Sequence, residues 1–284
     1  MATWVKILAG VSTAAALVAL VLLVLWPLLR HQLLYPGGRM APDEGDPARW
    51  GLERAERAWI AAEDGVRLHG WWVPADTTAR PRCGAVLYFH GNANTIAPRA
   101  WVGRSLAALG FDALLLDYRG YGLSEGRPSE EGLRRDARAA WSYVVEEKGV
   151  DPSVLVLLGH SLGSAVATDL ALERPAAALV LGAPFPSAPE LFRAHAPWLP
   201  LSLLPWRDGR YEAGSRVRAL AMPILVALGE RDAVVPPALS RRVFAAAPEP
   251  ARLVVTAAGH DTLLGDPAVW AALEAFLAEH VCPG

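Results

Sequence analysis

Cysteine is scarce in this chain: its 284 residues contain two, Cys83 and Cys282, and neither belongs to a Cys-x-x-Cys pair or a Cys/His cluster. That removes cysteine-based metal sites. The two are read as unrelated thiols, able to pair only if the fold brings their backbones together. An excess of one charge sign is also missing. Net charge is −2 with 20% charged residues and no long like-charge run, so there is no basic field of the kind that binds nucleic acid. The chain has no dinucleotide fingerprint and no P-loop, and His90 and His195 lack metal-like spacing, so no cofactor or metal is expected. Internal repeats and low-complexity tracts are absent too. At 30.4 kDa the length suits one sizeable domain with an appendage.

Charge is wholly absent from Ile7 to Leu29, a run of 23 residues bounded by Lys6 and Arg30. At about 1.5 Å per residue, such a helix covers the roughly 30 Å hydrocarbon layer. A secretory signal has a shorter apolar core and a small-residue cleavage site. Here the run ends in Leu-Trp-Pro-Leu-Leu-Arg, which offers none, while Trp26 and Arg30 suit an interfacial belt. Residues 1–30 are therefore expected to be a transmembrane anchor, with the lipid bilayer as a partner. Arg30, Arg39 and Arg49 lean slightly toward a cytoplasmic domain, too slightly to assign the face.

Residues 31–55, with Pro36-Gly37-Gly38 and an acidic stretch, read as a juxtamembrane linker. Beyond them short apolar runs alternate with amphipathic ones. The runs are Ala85–Phe89, Ala113–Leu116, Val154–Leu158, Leu179–Leu181, Ile224–Leu228 and Leu253–Val255, continuous enough for strands covered on both faces. Helix starts fall at Asn94 or Thr95 (running toward Leu109), at Ser129 (running to Lys148) and at Asp266-Pro267. Ala58–Ala62 and Val66–Trp72 flank Glu-Asp-Gly as an antiparallel hairpin. The spacing predicts one α/β domain over 56–284 with a mostly parallel sheet flanked by helices. From about 184 to 220 prolines and aromatics replace strand signals, and this insertion reads as a short lid.

Gly159-His160-Ser161-Leu162-Gly163 follows one of those strands and precedes a helix, the setting a nucleophile elbow requires. The sharp turn lifts the serine hydroxyl above the sheet edge, and the helix behind it points its free N–H groups at the reacting centre. The fold that carries this turn orders its partners serine, acid, histidine. Asp232 follows the strand Ile224–Leu228, and His260 follows Leu253–Val255. His260 is the candidate base and Asp232 the residue that orients it, with Glu230 and Asp261 as fallback acids. His160 reads as structural packing. Negative charge on a tetrahedral intermediate needs two donors: the N–H of Leu162, and the N–H of Asn92 in the turn His90-Gly91-Asn92-Ala93.

Taken together, His90–Ala93, the run Asp117-Tyr118-Arg119-Gly120-Tyr121-Gly122-Leu123-Ser124-Glu125-Gly126, Gly159–Gly163 and Gly259-His260-Asp261-Thr262 resemble the α/β-hydrolase superfamily. More narrowly they are similar to its membrane-anchored subgroup, which includes protein depalmitoylases and their bacterial relatives. The resemblance covers roughly residues 30–280. It implies the α/β-hydrolase fold and gives the Asp-Tyr-Arg-Gly-Tyr-Gly run a structural role beside the site. Thr95-Ile96 departs from the subgroup's oxyanion turn, and Gly259-His260-Asp261 is shorter than its usual histidine motif.

The expected chemistry is hydrolysis of an ester or thioester through an acyl-Ser161 intermediate. The apolar lid and the anchor suit a lipophilic acyl substrate, with Trp198, Leu203 and Trp206 as candidate acyl contacts. The same side chains serve equally well to pack the lid on the domain or to dip into the interface. A serine peptidase acting on small peptides is the alternative enzyme, with Glu190, Asp208 or Glu212 to receive an amine. A non-catalytic membrane scaffold is the alternative from another class.

Overall fold

The computed structural model describes residues 23–78, 80–198, 201 and 204–282. Leu203 and residues 1–22 of the expected anchor lie outside the described residues. Among those described, no helix is long and apolar enough to cross a membrane.

Eight strands form one sheet: β1 Glu56–Ala61, β2 Arg67–Val73, β3 Gly84–Phe89, β4 Phe111–Asp117, β5 Leu155–His160, β6 Ala178–Gly182, β7 Ile224–Gly229 and β8 Ala251–Thr256. Their order is β1-β2-β4-β3-β5-β6-β7-β8. The β1–β2 and β2–β4 pairs are antiparallel and the remaining pairs parallel. Strands β3, β4, β5, β6 and β7 are buried at every position, as strands between two helical layers must be.

The covering helices are α1 Ala100–Ala108, α2 Glu130–Ser142, α3 Leu162–Glu173, α4 Ala188–His195, the single turn α5 Ala213–Arg216, α6 Pro237–Ala246 and α7 Pro267–His280. Two starts follow the side-chain caps read from sequence. Ser129 Oγ accepts the Gly132 N–H at 3.0 Å, and Asp266 Oδ1 accepts the Ala268 N–H at 2.9 Å ahead of Pro267, so each leaves fewer first-turn donors unpaired. Beyond α2 a π turn, Tyr143–Glu147, carries the helical path on to Lys148. The start expected at Asn94 or Thr95 moves to Ala100. Asn94 is left-handed with φ 66°, and Asp117 Oδ1 takes the Ile96 N–H at 3.0 Å. A 3₁₀ turn containing Pro98 then intervenes.

Two segments differ from expectation. Residues 31–55, read as a linker, lie against the domain: Leu34, Tyr35, Met40 and Leu52 are buried, and Gly37 bridges to Ala93 and Arg39 to Gly122. Cys83 and Cys282, read as unrelated thiols, are joined as a disulfide with a Cα–Cα separation of 5.9 Å. The correction has a topological cause: α7 runs back across the sheet and ends beside the start of β3, a proximity that a sequence separation of 199 conceals.

Candidate active site

The parallel strands present their carboxyl ends on one side, where open α/β sheets carry functional groups. Phe89 of β3 is paired with Gly159 of β5, and His160 with Gly182 of β6. The turns after β3 and β5 are therefore neighbours. Gly229 of β7 pairs with Thr256 of β8, which sets Asp232 and His260 side by side just beyond that edge.

Ser161 occupies the turn between β5 and α3 with φ 54° and ψ −118°. A side chain held there costs about 1–3 kcal/mol, and the surroundings hold it fast. The Ser161 N–H donates to Gly182 O at 2.8 Å, and its carbonyl accepts from Ser164 Oγ at 2.6 Å. Both flanking glycines are obligatory. A Cβ on Gly159 would fall on the Gly163 backbone, and one on Gly163 on the Phe89 carbonyl. Helix α3 begins at Leu162, whose N–H lies in the first turn and has no intrahelical acceptor.

The turn after β3 runs close by: a Cβ built on Gly91 would stand 3.5 Å from Ser161 Cβ. Two phenols fix this turn by its carbonyls. Tyr118 Oη donates to His90 O at 2.8 Å, and Tyr121 Oη donates to Asn92 O at 2.9 Å. The Asn92 side chain also donates from Nδ2 to Leu33 O at 3.3 Å. The two tyrosines stand in the sequence run read as structural. Their registration of the candidate oxyanion donor is a contact across 28 and 29 positions that no local pattern discloses.

His260 Nδ1–H donates to Asp232 Oδ2 at 2.7 Å. The other carboxylate oxygen accepts the N–H groups of Val234 at 2.8 Å and Val235 at 2.7 Å. Burial alone would raise this carboxyl, but the His260 hydrogen bond and charge and the two backbone donors outweigh it, so its pKa lies below the ordinary value. Asp232 thus stays ionised and fixes the His260 tautomer, leaving Nε2 as the basic nitrogen. His160 packs on His260 with ring centroids 4.9 Å apart. Burial, then the charge of His260, push its pKa down to about 3. It stays neutral and does not compete as a base. The fallback acids are engaged elsewhere, Glu230 with Arg241 and Asp261 facing Arg99 from an exposed position.

Of the lid candidates, Trp198 is exposed, while Trp206 packs against Trp26 and Phe192. Trp206 also donates from Nε1 to Leu201 O at 3.2 Å. Among the described residues, no group of three His, Cys, Asp or Glu side chains is placed to hold a metal.

Comparison with known proteins bears on the family and the fold. Residues 80–211 match the family described as serine aminopeptidase, S33, and residues 206–284 the family described as TAP-like protein. The uncharacterized protein Rv2307c of Mycobacterium tuberculosis is 39% identical over 272 residues, 95% of this chain and 94% of that one. The chain belongs to the α/β-hydrolase superfamily. Another member, the lysophosphatidylserine lipase ABHD12 of Danio rerio, is 29% identical to this hydrolase over 231 residues, 70% of this chain and 60% of that one. The Pyrococcus furiosus esterase Pf2001 superposes with a TM-score of 0.67 at 20% identity, covering 86% of this chain and 97% of its own. At that identity the likeness speaks for the hydrolase fold alone.

Proposed function

We propose that the chain is a membrane-anchored serine hydrolase that cleaves carboxylic ester or thioester bonds of lipophilic acyl substrates. The observation that carries this reading is the ionised Asp232 bonded to His260 Nδ1 at 2.7 Å, with the His260 ring 4.9 Å from that of His160, the residue before a serine held in the strained elbow conformation. Ser161 Oγ attacks the acyl carbonyl while His260 Nε2 takes its proton. The N–H groups of Leu162 and Asn92 receive the charge that develops on the carbonyl oxygen. Collapse releases the alcohol or thiol, protonated by His260, and leaves acyl-Ser161. Water, activated by the same imidazole, then frees the acid.

The lipophilic preference draws on the uncharged N-terminal run, the apolar lid and the lipase named among the relatives. The peptidase reading needs a free acid in the lid to receive an amine. Glu190 instead pairs with Arg242 and Glu212 with Arg210, while Asp208 accepts the Glu130 N–H. The disulfide favours a catalytic domain on the oxidising side of the membrane, against the slight charge lean. A fluorophosphonate probe tests the chemistry. Labelling of the full-length protein should vanish in Ser161→Ala, and a well-folded wild type that takes no label overturns the proposal. Hydrolysis of p-nitrophenyl esters should rise with chain length and exceed that of aminoacyl-nitroanilides. A preference for acetyl esters removes the lipophilic part.

A further inference from the structure

The helical segment 23–34 lies along the lid. Its buried side chains recur four apart, at Trp26, Arg30 and Leu34, so one stripe of the helix faces the protein. Trp26 packs with Leu201 and Leu204 and meets the rings of Phe192 and Trp206 edge-on at 5.9 and 5.2 Å. Arg30 donates from Nη1 to Pro205 O at 3.3 Å and stands 5.9 Å from the Trp206 ring. At the other end, Leu33 O accepts from Asn92 Nδ2 at 3.3 Å, and the Tyr35 and Tyr211 hydroxyls share a hydrogen bond of 2.6 Å. One helix therefore joins the lid to the candidate oxyanion turn.

The opposite side of that helix is apolar and bare over its first two turns. Val24 and Leu28 are 67% and 58% exposed, whereas Arg30 is 8% exposed. Water selects the reverse arrangement; hydrocarbon selects this one, with arginine turned into the protein. The sequence supplies continuity, since residues 7–22 ahead of it carry no charge. On the lid, Trp198 is 80% exposed. It stands three positions from Leu201, within about 11 Å, and tryptophan is a residue of the membrane interface. Arg193 and Arg207 are exposed on the same insertion, cations suited to headgroups.

We propose that helix 23–34 and the lid dock as one face on the lipid bilayer, with Trp198 at the interface, so that the site receives its acyl ester from the leaflet. The substrate part of this inference rests on the esterase reading above; the docking part does not. The lid is held at the lipid boundary by Trp26 and Arg30, and the oxyanion turn is held with it through Asn92.

The test uses full-length protein in vesicles of phosphatidylcholine with some phosphatidylglycerol. A nitrobenzoxadiazole probe on Trp198→Cys should be quenched strongly by brominated lipid; an unquenched probe overturns the docking. In parallel, the Val24→Asn/Leu28→Asn variant should show a KM for a long-chain ester carried in the vesicles raised about fivefold. Its kcat and its hydrolysis of soluble p-nitrophenyl acetate should not change. An unaltered KM, or an equal loss on both substrates, overturns delivery from the leaflet. Quenching without fluorophosphonate labelling sinks the hydrolase reading and the delivery while keeping the docking; labelling without quenching sinks the docking alone.

Discussion

The phenol of Tyr121 donates to the main-chain carbonyl of Asn92 at 2.9 Å, and so pins the peptide that immediately follows the candidate oxyanion N–H. The neighbouring Tyr118 does the same for His90 at 2.8 Å. Neither ring is required for the sheet to form, but together they pin the two peptides flanking Gly91–Asn92, which carries the candidate donor; a donor misplaced by a fraction of an ångström loses most of its value in the transition state. Tyr121→Phe should lower kcat about tenfold with KM for a short ester nearly constant and the melting temperature little changed. An effect on KM alone would place Tyr121 in substrate binding instead.

Asp232 divides its oxygens between His260 and the N–H groups of Val234 and Val235. Asp232→Asn retains an acceptor for the loop yet presents an amide to His260, favouring the wrong imidazole tautomer. By analogy with other triads, kcat should fall about 10³–10⁴-fold while the fold survives. Circular dichroism and ester hydrolysis measured together check this. Retention of more than a tenth of the activity would transfer the role to another acid.

The central strands were legible because each is sandwiched between helices, so apolar residues run without alternation from Gly84 to Phe89 and from Phe111 to Leu116 apart from Asp112. Ser129 and Asp266 were legible because a cap acts within three residues. The start of α1 was not, because the group that sets it, Asp117, arrives from the end of β4. The elbow announces itself through its glycines, and the order of Asp232 and His260 follows from strand succession. Contacts made by folding alone stay hidden: Tyr121 on Asn92, Trp26 in the lid, Cys83 on Cys282. In each, the partners are far apart in sequence and neither side chain is unusual locally.

Two buried histidines should govern the acid limb of stability. Burial lowers the pKa of both His160, to about 3, and His90. Below the ordinary value of about 6.5, the unfolded chain binds protons that the folded chain refuses. Stability is therefore complete above that pH and is lost as pH falls toward 3, by at most about 1.4 kcal/mol per pH unit for each histidine. Denaturant midpoints measured between pH 4 and 7 should decline toward acid in wild type and less steeply in His160→Phe. An unchanged slope would show that His160 is protonated in the folded state.

The Cys83–Cys282 bond closes a loop of 199 positions and pins the end of α7 to the start of β3. Leu277, Ala278 and Phe111 line a cavity of about 470 Å³ beside it. Crosslinks over loops this long contribute on the order of 2–5 kcal/mol, much of it by restricting the unfolded chain. Reduction, or Cys282→Ser, should therefore lower the melting temperature by roughly 5–15 °C for a domain of this size. Ester hydrolysis at room temperature should persist, because Ser161 and His260 lie at the other end of the strands. In intact cells a thiol-reactive maleimide should label the protein only after reduction. Labelling without reductant would mean that the bond is not formed there and that the catalytic domain faces a reducing compartment.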